Sequence, residues 1–246
     1  MCRHHAWIGP PRPVSALVLD PPHGLLHQSY APADMRGGGT VNADGFGVGW
    51  YAEAAGPPVR YRSAQPIWSD TAFASVAAAS CRAMLGAVRS ATTGMPVTDT
   101  AAAPFAADRW LFSHNGVVRG WPDAVAKLAE RLPVVDLLTL DAPTDAALLW
   151  VLVRDRLRAG EEPGAALADT VAGVAAAAPG SRLNLLLTDG ETVWGTAWDH
   201  ALSVRVTDEE AEVASEPVTS DERWRPVPEG HLVTAGPGTH HLTRIR

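Results

Sequence analysis

Apolar and polar positions cluster in short runs near both ends of the chain and follow a helical period in its middle. Residues 2–9 read as a short strand, followed by proline-rich chain from Pro10 to Pro13 and a brief apolar piece at residues 16–19. Pro21-Pro22-His23-Gly24 reads as a turn. A second turn, Asn42-Ala43-Asp44-Gly45, leads into a strand over residues 46–51, and residues 60–64 can pair with it as a hairpin through Gly56-Pro57-Pro58. Residues 70–80 predict a helix capped by Ser69. Residues 84–89 and 109–113 read as buried strands, each ending in polar residues.

The pattern then becomes helical. Residues 122–132 predict a short helix with Pro122 at a tolerated early position. Residues 145–158 carry the clearest helical period, with Thr144 as cap and apolar positions at Ala147, Leu148, Val151, Leu152 and Leu157. An alanine-rich helix is expected over residues 164–177. Strands return at 182–188, 192–198, 202–206, 211–215 and 231–234, with Asp189-Gly190 as a hairpin turn. Strands at both ends and a helical pair between them predict an α+β layered fold. No linker or internal repeat divides the 246 residues, so one domain over 2–246 is expected.

Composition narrows the functional classes. A net charge of −7, with Lys127 the sole lysine, supplies no basic footprint for nucleic acid or an anionic membrane surface. The most apolar run, residues 171–178, falls short of the about 20 residues a membrane helix needs. Pro10, Pro11 and Pro13 interrupt any secretory apolar region. Two cysteines, Cys2 and Cys81, make no disulfide framework, and a cytoplasmic protein with reduced thiols is expected.

Four places hold candidate chemistry. Removal of Met1 would leave Cys2 with a thiol and a free α-amine on one residue, a nucleophile and a base as a unit. Asn115-Gly116, after an apolar strand, offers a side-chain amide beside a backbone N–H, the donor pair an acyl-transfer oxyanion needs; alone it reads first as a simple turn. Arg89, followed by Ser90 and Thr92, suits two-point capture of a carboxylate, or is a loop arginine. Asp145 is placed to accept from a ligand ammonium, or simply suits the positive end of its helix. Taken together they form a clamp for an amino-acid head with a thiol farther along. Gly45-Phe46-Gly47-Val48-Gly49 lacks the dinucleotide fingerprint and is expected to let two backbones approach. Signatures of serine hydrolases, zincins and P-loop enzymes do not occur.

The leading Cys2, Arg89-Ser90-Ala91-Thr92, His114-Asn115-Gly116, Thr144-Asp145 and the stretch from Asn42 to Trp50 resemble the class II glutamine amidotransferase domain, an N-terminal-nucleophile hydrolase, over essentially the whole chain. The resemblance implies a four-layer αββα sandwich with no metal and no organic cofactor. It implies Cys2 as nucleophile, Asn115 and the Gly116 N–H as oxyanion hole, Arg89 with Ser90 or Thr92 on the α-carboxylate, and Asp145 on the α-ammonium, with His114 also at the substrate. Within the family, Met1-Cys2-Arg3-His4-His5, the stretch Leu19 to Leu26, Phe73 to Ala77, Ala87 to Pro96 and Ala214-Ser215-Glu216-Pro217 are similar to the γ-glutamyl hydrolases of bacterial ergothioneine biosynthesis. That implies a small-molecule substrate, γ-glutamyl-hercynylcysteine sulfoxide, from which glutamate is removed. Its trimethylammonium suits an aromatic face, and nine tryptophans offer candidates. One departure is visible: Ala146 and Ala147 stand where related sequences often carry a glutamate after the helix aspartate. Two other readings compete: a glutaminase subunit passing ammonia to a partner synthase, and a metal-binding or interaction module using Cys2, His4, His5, His240 and His241.

Overall fold

The computed structural model describes residues 2–34, 41–53 and 56–246. Alternation along its strands turns one apolar row of each sheet toward the other, so two antiparallel sheets stack face to face. The first has seven strands, in the order β11 (Arg225–Pro226), β9 (Ser203–Val206), β10 (Ala211–Ala214), β1 (Arg3–Pro13), β4 (Ser80–Val88), β2 (Phe46–Tyr51) and β3 (Val59–Ser63). The second has six: β13 (Thr239–Arg244), β12 (His231–Gly236), β8 (Val193–Ala197), β7 (Arg182–Thr188), β6 (Trp110–Val117) and β5 (Phe105–Ala107).

Between the sheets, Ala6, Ile8, Ala83 and Leu85 of the first meet Leu111, Leu186, Val193 and Val233 of the second. The first sheet's outer face, with Trp7, Phe46, Val48 and Met84, is covered by α1 (Ser15–Val18), α2 (Leu25–Gln28) and α3 (Thr71–Val76). Two short helices, α4 (Ala126–Ala129) and α5 (Val134–Leu138), precede α6 (Asp145–Arg158) and α7 (Pro163–Ala177). The last two cover the second sheet: Leu149, Trp150 and Val153 of α6 and Leu167 and Val171 of α7 pack on Phe112, Leu183, Leu185 and Leu187. The order helix–sheet–sheet–helix is the expected αββα sandwich. None of the helices among the described residues is long and apolar enough to cross a membrane.

Several boundaries differ from the sequence expectation, each for a local reason. β1 does not stop at Gly9: the ladder with β4 shifts register between Ile8 and Arg12 and resumes at Arg12 and Pro13, so the prolines sit where few ladder donors are required. The helix expected over 70–80 ends at Val76, and its cap is Asp70, whose carboxylate accepts from the Ala72 and Phe73 amides; Ser80 already begins β4. β6 runs past Ser113 through Asn115 and Gly116 to Val117, paired with β7, so Asn-Gly is strand here. The segment 122–132 holds a 3₁₀ turn and the short α4. α6 begins and ends as its period predicts, with the Thr144 hydroxyl accepting from the Ala147 amide.

The glycine-rich β2 explains how closely the layers approach. A methyl group on Gly47 would overlap the carbonyl oxygen of Ala103, which is fixed backbone. One on Gly49 would meet Leu111 at 2.6 Å. Gly47→Ala is expected to lower stability by about 1–3 kcal/mol through overpacking. Urea unfolding should show a lower midpoint with an unchanged slope, and an unaltered midpoint would mean the Ala103 segment yields freely.

Candidate active site

Strand register brings the site together. β1 and β4 pair with Arg3 opposite Val88, so Cys2 and Arg89, one residue beyond that pair, leave the sheet side by side. The Cys2 Sγ lies 3.7 Å from the Ser90 carbonyl oxygen, and Arg3 Nη1 donates to the Cys2 carbonyl at 2.9 Å. Arg3 is itself buried against Glu216, whose carboxylate also accepts from the Ala33 and Asp34 amides. A cleft opens here, walled by Cys2, Arg89, Ser90, Thr92, His114, Gly116 and Asp145.

Two charged side chains in this cleft have no ion-pair partner among the described residues. Arg89 is 8% exposed, and its Nη1 donates to the carbonyls of Pro96 at 2.8 Å and Asp44 at 3.5 Å. No carboxylate among the described residues pairs with it. Asp145, 5% exposed, opens α6 and accepts from the Val118 amide at 2.9 Å and the Ala146 amide at 2.8 Å, with no cationic side chain beside it among the described residues. A buried unpaired charge costs several kcal/mol, and a ligand bearing the opposite charge relieves that cost. One site therefore asks for an anion and the other for a cation.

Seven of the eight residues singled out from sequence line this cleft; the eighth, Asn115, does not. On β6 the side chains of Ser113 and Asn115 face the inter-sheet layer, whereas His114 and Gly116 face the helix side. Asn115 is fully buried and donates through Nδ2 to Ser215 Oγ at 2.9 Å. That hydroxyl also accepts from the His4 amide at 2.9 Å, tying the oxyanion candidate of one sheet to the nucleophile's strand in the other. His114 is anchored through Nε2 to the Arg182 carbonyl at 3.0 Å. Met1 lies outside the described residues.

Neither Ser215 nor Asp44 stands out individually in the sequence, although Ala214-Ser215-Glu216-Pro217 and Asn42-Ala43-Asp44-Gly45 contain them. Ser215 follows directly on β10, and Asp44 looked like an ordinary turn former. The metal reading finds no support in placement: His5 bonds Glu212 at 3.0 Å within the first sheet, while His240 and His241 are exposed on β13 at the edge of the second. The second thiol, Cys81, is fully buried, and burial pushes its pKa up to about 12.

The family model for class II glutamine amidotransferases matches residues 24–207. The chain belongs to the class II glutamine amidotransferases. Among curated relatives of this amidotransferase, the γ-glutamyl-hercynylcysteine sulfoxide hydrolase of Mycolicibacterium smegmatis is 42% identical over 234 residues, 95% of each chain. A solved glutamine aminotransferase class-II domain protein from Silicibacter pomeroyi superposes with a TM-score of 0.70 at 24% identity, covering 99% of both chains. The glutamine phosphoribosylpyrophosphate amidotransferase of B. subtilis gives 0.69 at 12% identity, covering all of this chain and 49% of that one. Both likenesses concern the fold.

Two expectations follow from the site of this amidotransferase. A methyl on Gly116 would overlap the Arg182 carbonyl oxygen, so Gly116→Ala should part β6 from β7 and cost about 3 kcal/mol, seen as a lowered denaturation midpoint. His4, fully buried, is held well below its usual pKa of 6.5 by desolvation and then by nearby His114, His200, Arg3 and His5. Below pH 6.5 the unfolded chain protonates this imidazole while the folded chain does not, so the native state loses stability as pH falls from there toward the depressed value. The unfolding midpoint should drop more steeply between about pH 6.5 and pH 5 in the wild type than in His4→Asn, and parallel profiles would contradict this assignment.

Proposed function

We infer that the chain is a cysteine-nucleophile γ-glutamyl amidohydrolase that releases glutamate from γ-glutamyl-hercynylcysteine sulfoxide. The observation that carries the reading is the cleft with a thiol on its wall beside a guanidinium and a carboxylate that have no ion-pair partner among the described residues. Arg89 and Asp145 complement the α-carboxylate and α-ammonium of a glutamyl head, and Cys2 takes the γ-carbonyl. The mycobacterial relative's name supplies the leaving half.

In this reading Met1 has been removed, and residues 2–246 work as one catalytic domain in the cytoplasm, where the Cys2 thiol stays reduced. Ser90 and Thr92 assist Arg89 on the carboxylate, and His114 borders the bound head. The α-amine of Cys2 takes the thiol proton, directly or through water. The thiolate then attacks the γ-carbonyl carbon, forming a C–S bond as the carbonyl electron pair moves onto oxygen. The Gly116 N–H and the second N–H of the Asn115 carboxamide stabilise that oxyanion, the first Asn115 N–H being bonded to Ser215. Collapse breaks the C–N bond, and the leaving amine receives the proton from the α-ammonium. Water adds to the glutamyl thioester, the C–S bond breaks, and glutamate and the free thiol result.

Cys2→Ala is expected to reduce glutamate release from this sulfoxide by a thousandfold or more, about the scale of losing a catalytic nucleophile. Its unfolding midpoint should match the wild type. Intact mass of the active protein should show Met1 absent. Undiminished hydrolysis by the alanine variant, or preference of the wild type for free glutamine, would overturn the assignment.

A further inference from the structure

Past Val88, β4 ends and the chain through Arg89–Thr92 lines the cleft without strand or helix to hold it. Its backbone groups still need partners. The last ladder pair between β2 and β4 is Phe46 with Val88. Beyond it, the Asn42–Gly45 turn continues the pairing: the Asp44 amide donates to the Arg89 carbonyl at 2.9 Å, and the Arg89 amide donates to the Gly45 carbonyl at 2.8 Å. Gly45 has φ of +107°, and a side chain there would press on the Ser63 carbonyl at 2.7 Å, so this turn has one shape available. One step further the backbones diverge. There the Asp44 carboxylate replaces the missing strand, accepting from the Ala91 amide at 2.7 Å.

These contacts bracket Ser90, whose carbonyl faces the Cys2 thiol, and they fix the root of the Arg89 side chain, whose Nη1 also reaches the Asp44 carbonyl. We propose that Asp44 is a positioning residue for the glutamyl head: its carboxylate, through the Ala91 amide, holds the Arg89–Thr92 wall in the shape that presents the guanidinium to the substrate α-carboxylate. This rests on the γ-glutamyl reading above. The role needs an acceptor oxygen at one place, and Asp44 forms no ion pair with Arg89, so the negative charge is dispensable. Asparagine can supply the same oxygen; alanine cannot.

Three proteins test it: wild type, Asp44→Ala and Asp44→Asn, each assayed for glutamate release from γ-glutamyl-hercynylcysteine sulfoxide and for amide hydrogen exchange over residues 89–95. Asp44→Ala should raise KM about tenfold or more with kcat within about threefold, because a misplaced Arg89 weakens binding of a part of the substrate held alike in ground and transition states. Exchange over 89–95 should quicken in the same variant while the rest of the sheet stays protected. Asp44→Asn should restore both. If Asp44→Ala does not fold, Asp44→Glu, which keeps the charge but displaces the oxygen by a methylene, should show the same KM rise. An active wild type with unchanged KM in the folded alanine or glutamate variant overturns the proposal alone. A KM rise in Asp44→Asn equal to that in Asp44→Ala overturns it too, since the charge would then be what matters. A wild type that releases no glutamate overturns the γ-glutamyl reading, and the proposal with it.

Discussion

The register between β1 and β4 is the constraint on which the site depends. With Arg3 opposite Val88, the thiol-bearing residue and the guanidinium-bearing residue emerge at the same end of the same sheet. A slip of one residue would turn Ala6 and Ile8 out of the inter-sheet layer and Trp7 into it, so burial on both faces of the strand enforces the pairing. The apolar pattern of the sheet thus fixes the position of these two cleft residues as well as the fold. No separate device is needed to bring Cys2 to Arg89.

The second sheet supplies the complementary half, and polar groups buried in the sandwich tie the two together. Ser215 accepts from the His4 amide on one side and the Asn115 carboxamide on the other, and His4 Nδ1 lies 3.2 Å from Ser113 Oγ. In a layer otherwise built mainly of apolar side chains, such bonds are strong and their loss is costly. They hold the spacing between the strand that follows Cys2 and the strand that carries Asn115 and Gly116 without any side chain of the cleft having to do so.

How much of this was legible in the sequence depended on whether the signal was local. α6 could be bounded to the residue because its Thr144 cap and its helical period agree. The αββα order and the membership of the cleft came from motifs whose spacing is specific only in combination. β6 was cut short because Asn115-Gly116 carries a strong turn signal; what overrides it is the approach of the Arg182 carbonyl, which only glycine tolerates and which no local pattern announces. β13 was missed because every residue from Thr239 to Arg244 is exposed, leaving no apolar alternation to read. Asp44 was read as a turn residue because its partner, the Ala91 amide, is 47 positions away.

Complete enclosure of Cys81 has a practical corollary. Small thiol-directed electrophiles meet a single accessible thiol on the native fold, that of Cys2 on the cleft wall. The chain therefore comes with a built-in reporter of its own conformation: one equivalent of label while folded, two once the sheets separate, with no engineered residue required.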